Sequence, residues 1–493
     1  MLVQFLQETK PILPELFLFG SLITLFGIST IVATSTAYNS KYHISSIATS
    51  KIVILLLILT AILVVLPIDT VGTYLFTKSL YIDFNSRIFK LLILITTIII
   101  LLVSFDYYRR DNLLEYEYPI LIGFVVLGMM VMLSSHNFLV FYLSIELQTL
   151  SMYVLICFRK TSRIAVEASL KFFILGSLSS ILLVFGISFL YGTFGTLNFS
   201  EIHDLIFMVS THNHYDTSLV IGLAFILIGL LFKLTVAPFH MWAPDVYEGA
   251  PIVTTFFMAT VSKIAFLGIF IKIFYTICNP FFWVISPALI VFGLLSIIVG
   301  SIGAIYQRKL KRLAAYSSIG HMGFILLSLS TGTLSGVHYA ILYLFIYVLM
   351  SICFFTILIS VQRGKNYKRL EYLTDLLYLN DFSPVISMIF AIVLFSMAGV
   401  PPLLGFWSKF YVLSTIIDQG MFYIALAVIL LSSISAFYYI RLIKVIFFEK
   451  TKKTANFHNV NTINFAVIML AAASLFIFPT TVYSTILHLN LFF

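Results

Sequence analysis

Charge is the scarcest commodity in this sequence: only 10% of its 493 residues are Asp, Glu, Lys or Arg, against 61% hydrophobic ones. With a mean hydropathy of +1.07, that scarcity excludes a water-soluble globule and predicts an all-α polytopic membrane protein. Cysteine is nearly absent too. Cys157, Cys278 and Cys353 lie far apart in apolar runs with no CxxC spacing, which argues against a disulfide framework and iron–sulfur ligation. No phosphate-cradling glycine loop and no flavin or dinucleotide motif is present, so no cofactor is expected in the chain. The first thirteen residues hold one Lys, one Glu and no Arg, unlike a transit peptide or cleavable signal, which suits a chain inserted where it is made. The net charge of +9 sits in short loops between apolar runs, which points to lipid as the surroundings and not to nucleic acid.

Fourteen apolar runs are long enough to be transmembrane helices. They fall near 12–34, 51–67, 88–105, 118–135, 137–158, 167–191, 219–243, 252–277, 281–306, 312–331, 336–361, 384–417, 421–448 and 462–486. The 384–417 run is too long for one straight helix, and Gly399, Pro401, Pro402 and Gly405 break its middle. The loops after odd-numbered runs carry nineteen basic residues and the opposite side four, Lys10, Lys78, Arg87 and Lys90. That bias places the odd-numbered loops on the cytoplasmic or matrix side and both termini on the other. The segment 192–218, with His203, His212 and His214, reads as a polar surface stretch without metal-ligand spacing.

Residues 118–277 and 278–448 form two blocks of five runs each, flanked by 1–117 and 449–493. Five is odd, so the blocks are expected to be inverted repeats. In each block the fourth run is broken and carries a lysine, giving broken helices 7 and 12: Lys233 with Pro238, and Lys409 with Pro401 and Pro402. Paired interruptions at corresponding positions point to a transporter pathway.

A lysine at bilayer depth costs roughly 2.5–3.5 kcal/mol on insertion scales, so such residues mark ion paths. Lys233, Lys263 and Lys409 are too deep to snorkel easily. Glu146 is either a structural carboxylate or, more in keeping with its depth, a proton carrier and the counter-ion of Lys233. Lys171, with Glu167 one turn before it, is either an interfacial i,i+4 pair or a modulator between Glu146 and Lys233. His240 lies seven residues after Lys233, on the same face if the helix resumes after Pro238. His321, about ten residues into its run, matches Glu146 in the other block; a relay role competes with that of a satisfied structural histidine. Lys272 sits five residues from its run's end, where snorkelling accounts for it. The ion is taken to be a proton.

The strings Glu146-Leu-Gln-Thr-Leu-Ser-Met-Tyr, Glu167-Ala-Ser-Leu-Lys171-Phe-Phe, Pro238-Phe-His-Met-Trp-Ala-Pro-Asp-Val-Tyr-Glu-Gly-Ala-Pro251 and Gly399-Val-Pro-Pro-Leu-Leu-Gly-Phe-Trp-Ser-Lys409 resemble the family of subunit 2 of respiratory NADH:ubiquinone oxidoreductase, complex I. The resemblance covers about residues 118–448 and is closer to mitochondrial and related bacterial forms than to plastid ones. It implies an antiporter-like subunit of the membrane arm, in the mitochondrial inner membrane, without a redox cofactor. NADH, FMN, iron–sulfur clusters and ubiquinone would sit in other subunits. It implies a Glu146–Lys233 pair, a modulating Lys171, a relay through Lys263, a terminal Lys409, histidines at 240 and 321, and neighbouring antiporter-like subunits as partners. The stretch 68–87 departs from the family pattern. Two rivals stay open: a subunit of a multisubunit sodium/proton antiporter, and a structural subunit whose lysines only hold helices together.

Overall fold

The structure, a computed structural model, describes residues 10–38, 46–66, 72–110, 115–211, 217–363, 368–449 and 460–476. Each expected apolar run contains a helix there, and the runs 219–243 and 384–417 are broken. The helices are α1 (Leu13–Tyr38), α2 (Ser46–Val65), α3 (Phe84–Val103), α4 (Phe105–Arg110), α5 (Glu117–Ser134), α6 (Phe138–Ile156), α7 (Arg163–Phe194), α8 (Phe199–Thr211), α9 (Thr217–Lys233) and α10 (Trp242–Gly249). They continue with α11 (Ile252–Ile271), α12 (Phe282–Ile305), α13 (Leu310–Ser330), α14 (Leu334–Ser360), α15 (Leu379–Phe382), α16 (Pro384–Ala398), α17 (Leu404–Asp418), α18 (Phe422–Phe447) and α19 (Thr462–Ser474). Among the described residues eleven helices are long and apolar enough to cross a membrane, and α9, α16 and α19 are shorter apolar helices. The chain is a multi-pass membrane protein. Its large exposed apolar side chains, such as Ile31, Leu55 and Ile181, fit a surface turned to lipid or to neighbouring subunits.

Two compact units result. The first comprises Met1–Leu230 and Gly249–Phe281, the second Leu231–Glu248 and Phe282–Phe493. The cut falls inside α9, so Lys233 belongs to the second unit although the run leading to it belongs to the first. The compact units therefore divide the chain differently from the two five-run blocks.

In the first unit α11 is the innermost helix. Nineteen of its residues are buried, Lys263 among them, and it packs against α3 and α5, with α1 and α2 further out. Beyond Ile271 the chain widens into a π-turn over Lys272–Ile277, the rare helix form often found at functional positions. The segment read as polar surface contains α8, whose Phe199, Ile202 and Ile206 are buried. A stripe at i, i+3, i+7 inside a short segment rich in polar residues hid that helix. His203 Nδ1 meets the Ile277 carbonyl at 3.2 Å, while His212 and His214 lie outside the described residues. Within the divergent 68–87 stretch, of which residues 72–87 are described, β1 (Thr73–Leu75) pairs with β2 (Leu80–Ile82) in a hairpin that closes a small core with Ile12. Its turn passes through three left-handed residues, Phe76, Thr77 and Lys78.

In the second unit α12 and α13 lie unusually close. A Cβ on Gly300 would stand 2.6 Å from the Gly320 nitrogen, and one on Gly323 would stand 2.7 Å from the Gly293 carbonyl. Small residues let membrane helices approach backbone to backbone. The seam also directs His321, which stands between Gly320 and Gly323, toward α14 and α18.

Two predictions follow from this packing. Gly300→Ala forces backbone apart and should destabilise by about 1–3 kcal/mol. Gly192→Ala, where a Cβ would meet nothing within 4 Å, should not. Thermal loss of the assembled subunit, followed on native gels, separates the two, and equal behaviour would contradict the seam. The second concerns His136, in the link between α5 and α6, packed among Tyr74, Tyr81 and Phe199 and accepting at Nε2 from the Ser200 amide. Its value is pushed down from 6.5 to about 4, first by burial, then by Lys272 and Lys78. A lowered histidine value means the unfolded state takes up the proton first. Stability is therefore full above about pH 6.5 and falls as the pH drops toward 4. Hydrogen exchange over residues 72–82, corrected for intrinsic rate, should speed up between pH 7.5 and 5; unchanged protection would refute this.

Candidate functional site

Both breaks are built by the same backbone device. After Lys233 the amide of Thr235 bonds the Phe232 carbonyl at 3.1 Å and that of Val236 bonds Leu231 at 3.0 Å. After Met397 the amide of Gly399 bonds Ser396 at 3.0 Å and that of Val400 bonds Phe395 at 3.1 Å. Each is a Schellman motif, which needs a left-handed residue at its hinge. The second break uses Gly399 (φ +88°), the first Thr235 (φ +62°). A β-branched residue in that region is strained by about 1–3 kcal/mol and persists only where its surroundings over-determine it. Those surroundings include Trp242, whose Nε1–H donates to the Phe232 carbonyl at 3.2 Å, and Ser296, whose Oγ accepts from the Ala237 amide at 3.0 Å.

Within the second unit, Lys233 is the last residue of α9, 6% exposed, with its ammonium 5.9 Å from the Phe232 ring centre. The chain stays in turns from Leu234 to Met241 and becomes helical again only at Trp242. His240 therefore sits in the turn, half-buried, and does not share a helical face with Lys233; the expected resumption right after Pro238 does not occur. The short helix α10 is tied down at its end. Glu248 accepts from Lys309 and, at 3.1 Å, from Arg312, which also lies 3.4 Å from Asp245. The bond to Glu248 holds the Lys309 ammonium above its ordinary range.

Lys409, one turn into α17, folds back on the broken end of α16. Its Nζ donates to the carbonyls of Ala398 at 2.8 Å and Met397 at 3.2 Å. Those are carbonyls left without helix partners by the break, at the negative end of the half-helix dipole. Two glycines make room. A Cβ on Gly399 would press the Lys409 side chain at 3.0 Å, and one on Gly405 would lie 1.8 Å from the Ser396 carbonyl. The ammonium also stands 5.4 Å from the Phe324 ring centre. Phe324 stacks on Tyr343, and the Tyr343 hydroxyl lies 2.9 Å from His321 Nδ1. His321 Nε2 meets the Tyr439 hydroxyl at 3.1 Å. His321 and Lys409 thus belong to one buried cluster. Tyr343 and Tyr439 escaped the sequence reading, because a tyrosine in an apolar run looks like any other aromatic; only the histidine facing them sets them apart.

Within the first unit, Lys263 is fully buried at the middle of α11. Glu146, half-buried on α6, has Oε2 3.4 Å from the Thr149 hydroxyl, while its Oε1 is buried with no hydrogen-bond partner among the described residues. A cavity of about 30 Å³ opens beside it, bounded by Tyr153, Gly176 and Ser180, which is about the volume of one water. Lys171, on α7, pairs with Glu167 at 2.7 Å, both side chains well exposed. Glu146 and Lys233 fall in different units. Lys272 turns inward, donating to the Leu133 carbonyl at 3.3 Å with its ammonium 5.8 Å from the Tyr81 ring centre, where snorkelling outward was expected. No group of three or more His, Cys, Asp or Glu suited to a metal occurs among the described residues.

The His321 cluster yields a prediction. One ring nitrogen donates and the other accepts, so removing either hydroxyl leaves a buried nitrogen unpaired. Tyr343→Phe and Tyr439→Phe should each cost about 1–3 kcal/mol. Thermal inactivation of the assembled complex measures this, and two silent variants would dissolve the cluster.

Residues 135–435 match the family model described as NADH:quinone oxidoreductase/Mrp antiporter, TM. NADH-quinone oxidoreductase subunit N of Pelagibacter ubique is 39% identical over 488 residues, 97% of this chain and 98% of its own. NADH-ubiquinone oxidoreductase chain 2 of Marchantia polymorpha is 34% identical, covering 89% and 88%. A chain of respiratory complex I from Thermus thermophilus superposes with a TM-score of 0.73 at 25% identity, covering 94% and 98%. A chain of the Mrp complex from Dietzia sp. shares the fold alone, with a TM-score of 0.75 at 17% identity over 98% and 99%. The chain belongs to the subunit N/chain 2 family, the antiporter-like, proton-translocating membrane subunits of NADH:quinone oxidoreductase.

Proposed function

We propose that Glu146, Lys171, Lys233, His240, Lys263, His321 and Lys409 carry protons through this subunit while electrons pass from NADH to quinone in other subunits of the complex. The observation that carries the assignment is the pair of matching breaks, each with a buried lysine at its edge. Quinone reduction supplies the drive from outside, since moving one charge against the potential costs about 2.3 kcal/mol per 100 mV. Lys233, at the edge of the first break, is one proton station, and Glu146 on α6 is another. Lys171 modulates Glu146 by sharing its charge with Glu167. Lys263 passes the proton on through the core of α11. Lys409 is the terminal station: its ammonium is held by two carbonyls and a ring face, none of which carries a full charge, so it can give up its proton without breaking an ion pair.

The blocks 118–277 and 278–448 are inverted repeats on this reading, between the N-terminal segment 1–117 and the C-terminal segment 449–493. The basic odd-numbered loops face the matrix or cytoplasm. NADH, FMN, iron–sulfur clusters and ubiquinone belong to other subunits. Neighbouring antiporter-like subunits and lipids cover the exposed apolar faces. We place the chain in the mitochondrial inner membrane on the wording of its Pro238–Pro251 string and its likeness to the Marchantia chain. Since several relatives are bacterial, a bacterial plasma membrane is the other location, and fractionation of the source cells decides between them.

The test is Lys233→Ala in the assembled complex. Proton pumping per NADH oxidised should fall about a hundredfold, with the subunit still present in the NADH-stained band of a native gel. Normal pumping ends the assignment. Failure to assemble favours a purely structural lysine. Recovery of the wild-type chain in a smaller assembly without NADH activity transfers it to the sodium/proton antiporters.

A further inference from the structure

A groove of about 610 Å³ opens between α1, α5 and α6 in the first unit, and none of its lining belongs to the pathway above. That volume falls among those of ligand sites, about 300–1,000 Å³. Phe26, Ile120, Leu121, Phe124 and Val154 make its apolar walls, and its charged lining is Glu115, Glu117 and Lys160. The three charges share one end. α5 starts at Glu117 and α6 ends at Ile156, and the link between the two helices is only Ser135 to Asn137, so the start of one lies beside the end of the other. There the Tyr118 and Phe158 rings meet edge to face at 4.9 Å. The Tyr116 hydroxyl is held above its ordinary range, first by burial and then by Glu117 and Glu115, so both carboxylates bear on one spot. This is the side of the basic loops, but Arg159 is engaged elsewhere: its guanidinium donates to the Tyr107 hydroxyl at 3.0 Å. The rim of the groove thus offers two carboxylates and one ammonium.

The lining decides between the two kinds of occupant such a groove can meet. Helices of a neighbouring subunit seat on small residues, which let backbones approach, as Gly300 and Gly323 do between α12 and α13. Among the described residues lining the groove there is no Gly, Ala, Ser or Thr. Large apolar and aromatic side chains take their place, an uneven wall that a flexible acyl chain fills better than a helix does. The charges gather at one end and the rest is apolar, which repeats the polarity of a lipid. An acyl chain that leaves the bilayer for the groove exchanges one apolar surrounding for another, so the chain itself selects nothing. Selection falls to the rim. An anionic headgroup without an amine would answer Lys160 alone and leave Glu115 and Glu117 facing like charge. A headgroup with an ammonium and a phosphate answers all three through charge-assisted hydrogen bonds.

We propose that the groove between α1, α5 and α6 binds a zwitterionic phospholipid of the leaflet on the basic side, with its ammonium on Glu115 and Glu117, its phosphate on Lys160 and an acyl chain along Phe26, Leu121, Phe124 and Val154. The lipid joins α1 to the α5–α6 pair where the helices themselves leave a gap. The site stands apart from the proton-translocation reading and survives or fails without it.

The chain carries its own reporter. Cys157 lines the groove as a free, half-buried thiol, whereas Cys278 and Cys353 are buried and serve as controls. Alkylation by N-ethylmaleimide in the assembled complex, read by peptide mass spectrometry, follows whether the groove is filled. Stripping lipid from the complex with detergent should speed the reaction at Cys157. Phosphatidylethanolamine returned in mixed micelles should slow it again. Phosphatidylglycerol, which lacks the ammonium, should be needed at about fivefold higher amount for half protection, the size expected of exposed ion pairs. The double variant Glu115→Gln/Glu117→Gln should erase that preference, and Lys160→Gln should weaken protection by both lipids. Equal protection of the unmodified complex by the two lipids, or better protection by phosphatidylglycerol, overturns the proposal. A Cys157 that stays unreactive after stripping overturns it too, because a neighbouring subunit or another stretch of this chain then covers the groove. Should the variants fail to assemble, the comparison of the two lipids on the unmodified complex decides.

Discussion

An ammonium held against the loose carbonyls of a broken helix is the interaction on which the second unit turns. Hydrocarbon cannot hydrogen-bond a backbone, so a break in a spanning helix is tolerated only where something else satisfies the freed groups. At α16 that something is Lys409. The lysine needs the break, because without the carbonyls its charge would be stranded. The break in turn needs the lysine. Gly399 and Gly405 are fixed by the same demand, one for its backbone angle and its clearance of the lysine, the other because α17 passes within a carbonyl's reach of α16. Even the orientation of His321 follows, since the glycine seam between α12 and α13 leaves it only the side where Phe324, Tyr343 and Lys409 gather.

The first break solves the same problem with different parts. There the lysine precedes the turn, and the carbonyls of Leu231 and Phe232 are taken by the turn's own amides and by the Trp242 indole. Lys233 is thereby left to other work than capping. The two lysines hold equivalent places in the sequence pattern but inequivalent places in the chemistry: one ends a helix, the other closes one.

Much of this was legible beforehand. Long apolar runs interrupted by Pro and Gly have few alternatives to broken spanning helices, and a lysine in such a run has few explanations. What stayed hidden shares a cause. Lys90 and Glu15 lie near helix starts, where counting along the chain files charges as loop residues, and their pairing across 75 positions exists only once α1 and α3 are side by side. Lys272 looked like a snorkelling residue because its run was about to end; the π-turn that points it inward leaves no mark on hydrophobic periodicity. His240 shares a face with Lys233 only if a helix restarts at its proline, whereas the turns between Leu234 and Met241 follow no period at all.

The difference between Thr235 and Gly399 reaches beyond local geometry. A glycine hinge is indifferent in its own torsions: its backbone can be folded or extended at similar energy, and only the hydrogen bonds around it hold the fold. A threonine hinge held at φ +62° is a wound spring. Any rearrangement that lets Thr235 relax toward an ordinary angle is favoured by the energy stored there, and re-forming the turn must supply it again. Two joints with one hydrogen-bond pattern therefore give the molecule a direction, with a loaded end at Lys233 and a slack end at Lys409.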